Sequence, residues 1–182
     1  MTIDTRITQP PVFYHPGIRS SPTSYYLAAT KVAGTGTSAL VADRIYYLPF
    51  FLPGLVVDRL GIETTAGAGN ARLGLYTNLN GMPDTLILDG GVLDISSSAV
   101  LETTITATTL PATWVWMCAA VSSTPTVRSA TASGTSIIGG SSPSSSSTGL
   151  IATHAFAALP AAAPVASIAL LAGTPSIWMR KS

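Results

Sequence analysis

The chain has 182 residues and a net charge of +1, and only 9% of its residues are charged, against about 25% in an ordinary globular domain. Its nine Lys and Arg are scattered, so no basic patch exists to neutralise phosphates, and a nucleic-acid partner is excluded. An apolar fraction of 47% at this low charge excludes disorder, and a single cysteine, Cys118, excludes an intramolecular disulfide framework. The polar remainder is mostly Ser and Thr, a surface poorly defended against association. The composition therefore points to one domain with an arm, held in a symmetric assembly that covers much of it.

Residues 1–38 read as an extended attachment arm. Pro10, Pro11, Pro16 and Pro22 rule out a continuous helix or central strand there. Phe13, Tyr14, Tyr25 and Tyr26 recur along it and are the expected assembly contacts, since exposed aromatics are costly in a free tail. The opening MTIDTRITQPP lacks the basic and apolar regions of a secretory signal, so synthesis in the cytoplasm is expected. Gly34 to Ser38 reads as a linker into a compact domain spanning 39–182.

That domain begins with ALVADRIYYLPFF (39–51), apolar on both faces, as a strand covered twice would be. Pro49 removes a ladder donor and predicts an edge or a bulge. Pro53-Gly54 reads as a turn, with a second strand over 55–66 and a flexible loop at 66–70. Residues 72–89, RLGLYTNLNGMPDTLILD, predict two strands around a turn: Leu73, Leu75 and Leu79 alternate with smaller or polar residues, and Asn78, Asn80, Gly81, Pro83 and Asp84 crowd the turn. Gly90-Gly91 breaks the run before 92–95, and 96–99 turns again. Residues 100–110 are rich in β-branched residues, Pro111-Ala112 predicts a turn, and TWVWMCAAV (113–121) predicts a central strand. There Trp114, Trp116, Cys118 and Ala120 share one face, and Val115, Met117, Ala119 and Val121 share the other. Residues 122–148 are low in complexity, with a strand hint at Ile137-Ile138, and 139–149 predict an exposed loop. Residues 150–173 are long and uncharged, but His154, Pro160, Pro164 and the many alanines argue for two strands flanking a loop rather than a membrane span. SIWMRK (176–181) reads as a closing strand. Strand signals every 8–12 residues, without an amphipathic helix, predict an all-β fold: a jelly-roll-like antiparallel β-sandwich of eight strands.

The residues give little chemistry. No G-x-S-x-G occurs, and neither His15 nor His154 has an acid nearby in sequence. Asp43, Asp58, Glu63, Asp84, Asp89, Asp94 and Glu102 sit near turns or within strands where Arg44, Arg59 or Arg72 can pair with them, which predicts structural ion pairs rather than a glycosidase couple. Asn78, Asn80 and Asp84 offer oxygens to calcium, but only one of them is charged and no bidentate Glu follows. The expectation is no enzyme, no catalytic residue, no metal and no cofactor. Tyr76 and Trp178 are the candidate sugar or subunit contacts, with packing in the core as the competing reading.

Arg72, Gly74, Tyr76, Gly81, Pro83 and Leu86, followed by Leu110, Pro111, Trp114 and Trp116, form an ordered series of pieces. Over about residues 40–122 this series resembles the β-sandwich module of bacteriophage virion proteins, of the tail- or head-fibre or capsid-decoration type. Asp84 departs from the pattern, which often has Gly there. The resemblance implies a non-enzymatic virion structural protein, made in the host cytoplasm. Its implied partners are itself, as a homotrimer, and other virion proteins of capsid or tail, with a host-surface glycan as a further candidate. Within that class a short receptor-binding fibre and a cement protein bracing the shell compete. Related sandwiches are also carbohydrate-binding modules, the alternative from another class.

Overall fold

The computed structural model describes residues 25–27, 36–130, 147–171 and 173–182. Phe13, Tyr14, the Ile137-Ile138 strand hint and most of the 139–149 loop lie outside the described residues. Among those described, eleven strands and one short 3-10 turn, Val165–Ser167, account for the regular structure, and no α-helix occurs. The all-β reading holds: the strands build a strongly curled, antiparallel, sandwich-like fold.

The strands are β1 (Tyr25–Leu27), β2 (Thr37–Ala39), β3 (Arg44–Ala66), β4 (Asn70–Leu79), β5 (Met82–Asp94), β6 (Val100–Val121), β7 (Thr126–Ala130), β8 (Gly149–Thr153), β9 (Ala169–Leu171), β10 (Thr174–Pro175) and β11 (Ile177–Lys181). The main path runs β1-β11-β3-β6-β4-β5, with β8 and β9 attached along β3, and with β2 and β10 attached through β7. The expected boundary between residues 38 and 39 thus falls inside β2, and β7 arises within a stretch whose composition reads as low in complexity. Segments 149–153 and 169–171 are the two strands expected around the Ala/Pro-rich loop. No helix among the described residues is long and apolar enough to cross a membrane.

Two expected turns are absent. Pro53-Gly54 and Pro111-Ala112 both lie inside long strands, β3 and β6, which pair with each other from Arg44↔Val121 to Glu63↔Val100. Gly90-Gly91 likewise lies inside β5, with Gly91 at φ 78. The ladder survives Pro49 and Pro53 for a geometric reason. His154 N–H donates to the Asp43 carbonyl, and Arg44 pairs with Thr153. Odd residues of β3 up to 53 therefore direct their backbone groups away from β6 and toward the outer edge. Along that edge β8 ends at Tyr47 and β11 begins at Val57, so no strand among the described residues needs the donors that the two prolines lack.

The same irregularities reset which side chains point inward. The main core takes Tyr46, Leu48 and Leu52, then Leu55 and Val57, then Leu60 and Ile62. The alternation slips once at Gly54, which adopts φ 77, and again where the β3–β6 register shifts between Val57 and Arg59. Because side-chain direction has a period of two, each slip moves the buried set by one residue. On β6 the inward residues step correspondingly from Leu110 to Val115 and Met117. Leu73 and Leu75 enter this core as expected, whereas Leu79 is exposed beside the turn. Asn80 and Gly81 close the β4–β5 hairpin at φ 51 and 82, the two positive values that a two-residue turn needs and that Asn-Gly accommodates.

A second core lies on the opposite face of the β3–β6–β4 layer. It contains Ile45, Tyr47, Tyr76, Trp116, Cys118 and Ala120, closed by Leu150, Ala152, Leu159 and Ala163. Residues 115–121 of the strand expected over 113–121 are therefore buried on both faces, while Thr113 and Trp114 are exposed.

Candidate functional site

The second core exists because residues 154–168, between β8 and β9, cross it as a strap. Arg72, Gly74 and Tyr76 occupy alternate positions of β4 and each holds that strap. Arg72 pairs with Asp89 at 2.7 Å, and the same carboxylate oxygen accepts the Leu159 N–H at 3.0 Å. Asp89 also accepts the Gly91 N–H. At Gly74 a Cβ would collide with Leu159 Cδ1 and the Leu88 carbonyl, so only glycine leaves a seat for the leucine. The Tyr76 hydroxyl donates to the Pro160 carbonyl at 2.7 Å. Further along, Leu86 N–H donates to Ala161 and Ala163 N–H donates to Asp84. At the strap's start, Asp43 accepts the Phe156 N–H on its side chain and the His154 N–H on its carbonyl. The Arg-x-Gly-x-Tyr series is thus a latch.

The other candidate residues also have structural duties. Tyr76 is 0% exposed, and its ring meets Tyr47 edge-on at 5.4 Å. Burial raises the hydroxyl pKa of both tyrosines above the ordinary phenol range, so both stay protonated. Trp178 is 8% exposed, and its ring crosses Gly61, where a Cβ would strike the indole. Its Nε1 donates to Glu102, which also pairs with Arg59 at 3.6 Å. Neither residue offers a ring face for a sugar to stack on within this chain, which corrects the sugar-platform reading and leaves the core reading. Tyr25 and Tyr26 lie in β1, paired with Arg180 and Met179 on the outer edge of β11.

Burial also raises the Cys118 thiol pKa, with the Asp89 charge adding to the effect, so the thiol stays protonated and unreactive. The seven acids of the described residues are all engaged. Asp58 pairs with Arg180, Glu63 with Arg128, Asp89 with Arg72 and Glu102 with Arg59. Asp84 accepts the Thr77 and Thr85 hydroxyls, Asp94 accepts the Ser96 N–H, and Asp43 holds the strap. Two of these pairs were expected from the sequence by their arginine, while Arg44 instead donates to the Asp43 carbonyl and Thr153. Of the calcium candidates, Asn78 accepts from Trp116 Nε1 at 3.0 Å and Asp84 is occupied as described. No cluster of three or more metal-ligating side chains occurs among the described residues.

What remains open is a strip on the strap's own face of the sheet. Beyond Trp116, which is 3% exposed, Phe51 and Trp114 face each other across β3 and β6 at 5.5 Å, edge to face, and Trp114 is 50% exposed. Residues 111–114 are all exposed. The strip lies in two charge-free runs, 45–57 and 103–127. Sequence reasoning places Trp114 with Trp116 on one face but cannot see that the strap covers one and stops short of the other. The usable signal was the pair of uncharged runs.

Compared with known proteins, the chain matches no family model and no curated protein.

Proposed function

We propose that this protein is a non-enzymatic structural component of a bacteriophage virion, a short fibre or capsid-surface protein that works as a symmetric oligomer, with a trimer as the stoichiometry. The observation that carries the reading is the uncharged, aromatic strip around Trp114 on a sheet whose acids are all committed to structural bonds. Such a surface does no acid-base or nucleophilic chemistry. It loses little solvation when covered, because no charge has to leave water. Aromatic residues and few charges are also what the centres of protein interfaces select. The resemblance of residues 40–122 to phage β-sandwich modules supplies the virion setting, and residues 1–38 supply the attachment arm.

The test is antibody labelling of intact particles. An antibody raised against the folded domain should decorate purified virions at regular positions. Labelling on the head would favour a cement role, and labelling at the tail a fibre role. Particles that carry none of the protein would overturn the reading.

A second reading, a carbohydrate-binding module on the host-contact side, is favoured by one observation: the half-exposed Trp114 ring has the face that sugars stack on. Host-surface polysaccharide added to the protein would then shift its tryptophan emission and raise its melting temperature.

A further inference from the structure

We propose that the Asn80-Gly81 turn is a self-modification site, at which the folded chain converts its own asparagine to aspartate and isoaspartate with water as the only co-reactant. The inference is independent of the virion reading above.

The Gly81 nitrogen yields its proton to solvent base and attacks Asn80 Cγ. The N–Cγ bond forms, the Cγ–Nδ2 bond breaks, and the amide takes a proton from water and leaves as ammonia. A five-membered imide remains. Water opening it at Cγ gives aspartate, and water opening it at the main-chain carbonyl gives isoaspartate, whose backbone runs through Cβ and Cγ. Nothing is oxidised or reduced. A following glycine favours the attack because no Cβ shields its nitrogen.

The sequence offers two such places, Asn80-Gly81 and Asp89-Gly90, since an aspartate can close the same imide by losing water. The structure separates them. Asp89 is fixed by Arg72 at 2.7 Å, by the Leu159 N–H at 3.0 Å and by the Gly91 N–H at 2.9 Å. Asn80 and Gly81 are both exposed, at a tip where Asn78 and Leu79 are exposed too. Among the described residues, no hydrogen bond holds the Asn80 carboxamide or the Gly81 N–H, and a Cβ on Gly81 would meet nothing within 4 Å. The other two asparagines are less suited. Asn78 is held by Trp116 Nε1 at 3.0 Å and precedes Leu79, and Asn70 pairs with Asp94 in the ladder and precedes the buried Ala71.

To reach Cγ, the Gly81 nitrogen must swing out of the tight turn, and the tip has a hinge for that. Leu79↔Met82 closes it, but the β4–β5 register shifts between Tyr76 and Asn78, and the Thr85 N–H donates to the Thr77 hydroxyl at 2.9 Å. The tip can therefore open without unzipping the ladder that β4 makes with β6. Isoaspartate lengthens the backbone by one atom, so a two-residue turn no longer fits between Leu79 and Met82. The strap's far end is tied close by: the Ala163 N–H donates to the Asp84 carbonyl at 2.7 Å, and the Leu86 N–H donates to Ala161 at 2.9 Å. Conversion should loosen that end.

The experiment incubates the full chain, folded and denatured, in mildly alkaline buffer. Peptides carrying residues 70, 78, 80 and 89 are then resolved by chromatography and mass spectrometry. In the folded chain, conversion is expected at Asn80 alone, with isoaspartate and aspartate both present, and an acidic form should appear below the parent pI of 7.9 on isoelectric focusing. Hydroxylamine, which attacks the imide, should cut the folded chain between Asn80 and Gly81. Asn80→Gly keeps a turn that tolerates positive φ and should show neither product nor cut. Backbone hydrogen exchange at 161–163 should be faster in the converted chain than in Asn80→Gly.

A folded chain that keeps Asn80 while the denatured chain converts it would overturn the inference, because the turn would then protect the site. Isomerisation at Asp89 as fast as conversion at Asn80 would overturn the selection between the two places. Unchanged exchange at 161–163 would overturn the link to the strap.

Discussion

Along the outer face of β3 and β6 two neighbouring stretches differ in a single respect. Tyr47, Cys118 and Trp116 lie under the 154–168 strap and are buried, while Phe51 and Trp114, a few residues further along the same two strands, are not covered by it. Both stretches are apolar, uncharged and aromatic. The strap is held by Asp43 at its start, by Asp84, Leu86 and Asp89 of β5 and by Gly74 and Tyr76 of β4, and β4 pairs with β6 no further than Thr77↔Val115. The comparison teaches that burial on this sheet is decided by how far a third element reaches. Where it stops, the same kind of surface becomes available to another molecule.

The most severe way to break this contrast is to remove the strap's aromatic floor. Tyr76→Ala deletes a fully buried ring and the bond to Pro160, and is expected to cost about 3–5 kcal/mol, read by chemical denaturation. Gly74→Val fills the seat of Leu159 and should cost about 1–3 kcal/mol by overpacking. In that variant backbone hydrogen exchange should rise in 154–168 before it rises in the main core, and uniform exchange would show that the strap and sheet open together. Tyr76→Phe keeps the ring and loses only the hydroxyl donor, so a loss of about 1 kcal/mol is expected.

An acid titration of stability probes a contact outside both stretches. Asp58 is held below the usual carboxylate range chiefly by its hydrogen bonds from Arg180, with the Arg180 and Arg59 charges adding to them. Its folded pKa lies below its unfolded one, so its contribution is fully present above the unfolded carboxylate value. It is lost as pH falls through the folded value. Asp58→Asn should therefore flatten the acid limb of the melting temperature while leaving the neutral plateau only slightly lower. An unchanged acid limb would show that the pair is not what titrates. The smallest effect belongs to the open stretch: Trp114→Ser should change the stability of the dissociated chain by no more than about 0.5 kcal/mol. A loss several times larger would mean that Trp114 is packed within its own chain.

The candidate site was only partly legible. Arg72, Gly74 and Tyr76 stand out in the sequence, yet their common purpose does not, because the segment they grip lies some 80 residues away and shows only as an Ala/Pro-rich run. In the sequence, packing is the favoured reading of Tyr76 and Trp178 and a sugar platform the competing one; Pro160 and Gly61 placed against them decide for packing. Alternation along 113–121 puts Trp114 on the same face as Trp116, but its exposure depends on where the strap ends.

The sequence by itself determined the all-β class, a turn among Asn78, Asn80, Gly81, Pro83 and Asp84, an apolar strand ending at Val121 and a low density of charge. These follow from local rules: alternation with a period of two, the turn preferences of Asn, Gly, Pro and Asp, and composition. Tertiary structure alone decided that Pro53-Gly54 and Pro111-Ala112 are interruptions within two strands of more than twenty residues rather than turns. A proline turns the chain only if no partner strand holds it straight. Here each strand is the other's partner, and the prolines of β3 aim their missing donors at an edge where nothing among the described residues pairs.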